Sequence, residues 1–69
     1  MGSFTYMTWK VLTDTPLKDE PSLSARTSAM VPKNRLFIVL GENEEWLTTA
    51  YGYIQKRDCA FAFSYEEEI

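Results

Sequence analysis

Short blocks of alternating or unbroken apolar residues, separated by turn-forming clusters, predict strands throughout this chain and no helix of ordinary length. The plainest block is Leu36-Phe37-Ile38-Val39-Leu40, an apolar run that includes two β-branched residues. It is too short for a helix and suits a strand buried on both faces. A break at Gly41 and the polar turn Glu42-Asn43-Glu44-Glu45 lead into Trp46-Leu47-Thr48-Thr49-Ala50-Tyr51, again β-prone, and Gly52 separates that block from Tyr53-Ile54. Two strands joined as a hairpin account for this central region.

The flanking regions repeat the theme. Thr8 to Thr13 has the β-branched and aromatic content of a first strand, with Trp9 and Val11 on one face and Lys10 and Leu12 on the other. Residues 15–24, TPLKDEPSLS, predict a long loop, because Pro16 and Pro21 bar both a helix and a central strand. Leu17 and Leu23 would pin that loop to the body. Ala25 to Val31 predicts a second strand, and Pro32-Lys33-Asn34-Arg35 a tight turn in which Asn34 takes the left-handed conformation. Gln55 to Asp58 is a polar connection with room for one 3₁₀ turn. Cys59 to Tyr65 alternates small and aromatic residues, which predicts a final strand with Phe61, Phe63 and Tyr65 in one row; the preferred reading is that the row covers the barrel as core, and the alternative, if the strand is an edge, is an exposed patch for a partner or self-association. The organisation expected is a lead over 1–7 that pairs as an extra strand or frays, a body over 8–65, and a solvated acidic tail over 66–69. Five to six short antiparallel strands in one all-β domain cannot make a sandwich of ordinary size, but they can curl into a small barrel.

Composition narrows the chemistry. The 69 residues contain no histidine and a single cysteine, Cys59. That excludes Ser–His and Cys–His nucleophilic catalysis, an internal disulfide and any multi-cysteine metal site. No catalytic residue, metal or cofactor is therefore expected. Lone-cysteine usage, the lack of an apolar run near the ~20 residues of a membrane span, and the lack of a basic-then-apolar leader predict a cytoplasmic protein without membrane contact. A formal net charge of -3 disfavours nucleic acid, whose non-specific affinity rests on Lys and Arg; a basic partner is easier to attract.

The order of these signals resembles a bacterial SH3-type (SH3b) domain over roughly residues 9 to 63. Thr15-Pro16-Leu17 and Pro21-Ser22 fall where that family has a leucine entering a long Pro/Ser loop; Val31-Pro32-Lys33-Asn34 matches its proline-lysine turn. Val39-Leu40-Gly41-Glu42, Trp46 and Gly52-Tyr53-Ile54 follow in the family's order. The chain departs from the pattern at Lys18-Asp19-Glu20-Pro21, which lacks the family's usual arginine and glycine. What the resemblance implies is an SH3-like barrel with a groove between the long first loop and the loop before Trp46.

Such a groove suits an extended, Pro-containing or basic peptide, or another protein offering one. Trp46 and Tyr53 are the expected anchors, with Asp19, Glu20, Pro21, Glu42, Glu44 and Glu45 as an acidic rim that steers the partner. A non-catalytic binding module follows, of the kind a bacterial or phage accessory factor uses to dock on or inhibit a host protein. Two other readings are a peptidoglycan-targeting SH3b module and a small nucleic-acid-binding barrel. The bland alternative for both rings is core packing, since aromatics dominate small cores.

Overall fold

The computed structural model describes residues 2–68. It is all-β, with eight strands and a single 3₁₀ turn: β1 (Ser3–Val11), β2 (Thr15–Lys18), β3 (Thr27–Val31), β4 (Leu36–Val39), β5 (Gly41–Glu42), β6 (Trp46–Thr49), β7 (Gly52–Gln55), the 3₁₀ turn Lys56–Asp58, and β8 (Cys59–Glu68). They form two antiparallel sheets, ordered β4-β1-β8 and β3-β2-β7-β6-β5. The segment carrying β4 and β5 passes from one sheet to the other at Leu40, whose N–H donates to the Thr48 carbonyl at 2.8 Å.

The core lies between the sheets. Val11, Val39, Leu47, Ile54 and Cys59 are buried together with Trp9, and Met7, Leu17, Val31 and Phe37 pack against them. Alternation explains the choice: Trp9 pairs with Phe37 and Met7 with Val39, so the odd positions of β1 point inward. The Trp9 Nε1–H is buried and finds no hydrogen-bond partner among the described residues, while its ring meets the Phe61 ring edge-on at 6.0 Å between centroids.

Two residues hold special backbone geometry. Asn34 has φ 73, the left-handed conformation expected of that turn. Gly52 has φ +151, and a Cβ there would lie 2.5 Å from the Lys18 carbonyl oxygen. Only glycine lets β2 approach β7 this closely.

Four expectations need correction. The run Leu36–Leu40 is not buried on both faces, since Leu36, Ile38 and Leu40 are exposed. Pro16 lies inside strand β2, opposite Met30; the ladder between β2 and β7 is the single pair Lys18 and Tyr53, so proline's missing donor faces no ladder. The lead takes the paired one of its two expected forms, a strand from Ser3 onward against the end of β8; Met1 lies outside the described residues. Glu66–Glu68 are likewise no free tail, because Thr5, Phe4 and Ser3 pair with them in turn; Ile69 is outside the described residues. Together these ends make a two-stranded ribbon that extends the molecule to 41 Å along its longest axis. Finally, Phe61, Phe63 and Tyr65 do not share one face. Trp9 pairs with Phe61 but Thr8 with Phe63, leaving Ala62 as an extra residue. This bulge puts Phe61 on the core side and Phe63 and Tyr65 on the opposite side.

Candidate functional site

Register explains where Trp46 points. Leu47 pairs with Ile54, both facing the core, so Trp46 and its partner Gln55 lie on the outer face of β6 and β7. Trp46 is nonetheless only 6% exposed, because two loops stand around it. Pro21, Ser22, Leu23 and Ser24 from the β2–β3 loop, with Glu44 and Glu45 from the β5–β6 loop, enclose a cavity of about 610 Å³ over Trp46, Gln55 and Arg57.

Each loop has its own internal structure. The Asn43 carboxamide oxygen accepts from the N–H groups of Glu45 (2.9 Å) and Trp46 (2.8 Å), an Asx turn that sets the strand's entry and lifts both glutamates to the surface. The Asn43 N–H in turn donates to the Trp46 carbonyl at 3.0 Å. On the other side, the Ser22 N–H donates to the Glu20 carbonyl and the Ala25 N–H to the Ser22 carbonyl. Lys18 Nζ closes that loop by donating to the Ala25 carbonyl and the Thr27 hydroxyl. Both walls are therefore tied by hydrogen bonds to the backbone.

The expected site residues divide into three groups. Pro21, Glu44, Glu45 and Trp46 come together around the cavity. Tyr53 sits one step along the same sheet face, half-buried opposite Thr48 and Lys18, outside the cavity lining. The rest of the acidic set is tied up or displaced: Asp19 pairs with Arg26 at 3.1 Å on the surface, Glu42 pairs with Lys56, and Glu20 is exposed on the loop. Lys56 also donates to the Asn43 carbonyl and lies 5.8 Å from the centroid of Trp9, so it joins the loop to the core. The lining charge is then two carboxylates against the Arg57 guanidinium.

The sequence alone does not mark Leu23, Gln55, Arg57 or the shaping role of Asn43 as parts of this cavity. Asn43 carried a signal, since Asn followed by polar residues before a strand favours an Asx turn. Arg57 had none, because its approach to Pro21 depends on tertiary folding.

Among the described residues no cluster of three or more Cys, Asp or Glu could hold a metal ion. Burial, with Asp58 adding to it, pushes the Cys59 thiol up to about 11, which keeps it protonated and poorly nucleophilic at neutral pH. No helix among the described residues is long and apolar enough to cross a membrane. Comparison with family models, curated proteins and solved structures finds no match for this chain.

Proposed function

We propose that this chain is a non-catalytic, SH3-like binding module that takes an extended peptide segment of a protein partner into the cavity over Trp46. The observation that carries this reading is the convergence of the β2–β3 loop and the β5–β6 loop on one Trp-floored cavity with Pro21, Glu44 and Glu45 at its mouth. The strand shared between the sheets at Leu40 and the 3₁₀ turn before β8 support the barrel reading. An extended segment matches an open cleft walled by hydrogen-bonded loops, and the two carboxylates favour a segment with Lys or Arg beside its apolar residues. Trp46 acts as a floor that excludes water while the loop side chains make the discriminating contacts.

Because Trp46 is buried, replacing it would perturb the fold together with any binding, so the test uses the rim. A panel of Pro-containing and basic extended peptides is titrated into isotope-labelled protein, following backbone amide shifts. Binding should move the amides of Ser22, Leu23, Glu45, Trp46 and Gln55. The Glu44→Lys/Glu45→Lys variant should keep the native spectrum and weaken a basic peptide about tenfold, as expected for losing two steering charges and gaining two repulsive ones. Shifts confined to another surface, or no binding across the panel, would overturn the proposal.

A further inference from the structure

The outer face of the three-stranded sheet is apolar where a solvated sheet would be polar. Phe4, Leu36, Ile38, Leu40, Phe63 and Tyr65 each keep between 41% and 64% of their surface exposed. Pairing places Phe4, Leu36, Ile38, Phe63 and Tyr65 on one face, with Thr8 between Ile38 of β4 and Phe63 of β8 and Tyr6 opposite Tyr65, and Leu40 borders the same surface beside Ile38 and Tyr6. The two tyrosine rings stack at 4.9 Å, and Thr8 is 5% exposed under its neighbours. Beside β4 the apolar surface runs on into a groove of about 650 Å³ bordered by Met30 and Tyr51. A sheet whose inner face is already the core thus has a second face built like an interior, which marks an interaction site.

We propose that this face is a homodimer interface, closed by a second copy packed face to face and antiparallel. Three observations select that occupant. First, six half-exposed large side chains at roughly 100 Å² each offer about 600 Å² per copy, most of the ~800 Å² a side of a standard interface before rim residues are added. Second, the face has charges of opposite sign at its two ends. Lys10 pairs with Leu36 and Ala60 at the barrel end, and Glu67 pairs with Phe4 at the ribbon end. Six residues of β1 separate those levels, about 20 Å of strand. A two-fold axis through the middle of the face, near Tyr6 and Thr8, brings Lys10 of each copy to Glu67 of the other, the reciprocal contact an isologous interface requires. Third, the β8 edge is poorly suited to the competing edge-to-edge mode. The free edge of β8 is interrupted by the bulge at Ala62 and ends in Glu66-Glu67-Glu68, both features that discourage strand addition. Two sheets stacked about 10 Å apart, as in a sandwich, bury the rings without using that edge.

Sedimentation equilibrium of the full chain, across a concentration series, tests the arrangement. Wild-type protein should show a monomer–dimer equilibrium. Ile38→Glu should be monomeric throughout while retaining the native circular dichroism spectrum, because Ile38 is not part of the core. Lys10→Glu and Glu67→Lys should each weaken the dimer about tenfold, and the double exchange should restore it, since it rebuilds both interfacial ion pairs with reversed polarity. A wild-type chain that stays monomeric to millimolar concentration, or a dimer indifferent to Ile38→Glu, would overturn the interface. Failure of the double exchange to rescue would overturn its antiparallel alignment.

Discussion

The loop end of the molecule and the outer face of the β4-β1-β8 sheet treat their aromatic residues in opposite ways. At the loop end Trp46 is on the outside of its strand yet covered, because the Pro21–Ser24 segment and the Asn43 turn are folded over it. On the sheet face Phe63 and Tyr65 stay about half exposed. Charge separates the two regions as well. Glu44 and Glu45 both stand at the cavity mouth, so two copies would repel each other there, whereas Lys10 and Glu67 at opposite ends of the sheet face suit a reversed second copy. Hydrophobic area alone would rank the sheet face first for any partner; in the two proposals it is the placement of charge that assigns a different molecule to one surface and a second copy to the other.

The contrast can be broken at its strongest point by truncating one side chain from each region. Trp46→Ala should destabilise the fold by about 3–5 kcal/mol, the range for removing a buried aromatic. Ile38→Ser, at 41% exposure, should change stability by less than about 1 kcal/mol. Urea unfolding, performed below the concentration at which the chain self-associates, compares them; equal losses would mean that the sheet face is covered within the monomer. Next comes Gly52→Ala, which strains the junction on which both regions stand. Its Cβ collides with the Lys18 carbonyl, and a loss of about 3 kcal/mol from a total of roughly 3–10 kcal/mol should leave little folded protein. A near-normal melting temperature would show that β2 can withdraw from β7 freely.

The smallest effect concerns Cys59 and sharpens the picture of the core beneath both surfaces. Its thiol ordinarily ionises near 9.0 but is pushed up to about 11 in the fold. The folded state therefore holds the proton over a window in which the unfolded chain has lost it. The sign follows from linkage: Cys59 leaves stability unchanged below pH 9 and lowers it as pH rises from about 9 to about 11. Comparing melting curves of wild type and Cys59→Ala across that range should show the difference between them narrowing or reversing with alkalinity. At pH 8, alkylation of Cys59 should be much slower than that of a free thiol; reaction at the free-thiol rate would mean that the final strand opens readily.

Much of the site was legible only as a set of candidates. The family resemblance implies a groove between the Pro-rich loop and the loop before Trp46, and in the fold Pro21, Glu44, Glu45 and Trp46 line one cavity. Tyr53 lies beside it because strand register, and not sequence order, sets how far β7 stands from the loops. Glu42 and Asp19 read as rim charges, but Lys56 and Arg26 are close enough in space to pair with them.

What the amino-acid order determines by itself is local: the all-β character, the turn at Asn34 with its positive φ, and the 3₁₀ turn after Gln55. These depend on a residue and its immediate neighbours, where steric limits on φ and ψ and the two-residue period of a strand act directly. Only the tertiary structure decided that Ser3–Met7 and Glu66–Glu68 are strands, that Ala62 bulges and turns Phe63 and Tyr65 away from Phe61, and that Trp46 is covered. Each depends on a partner brought near by folding, and the hydrogen bonds or burial such a partner supplies outweigh the weak local preference of the residues involved.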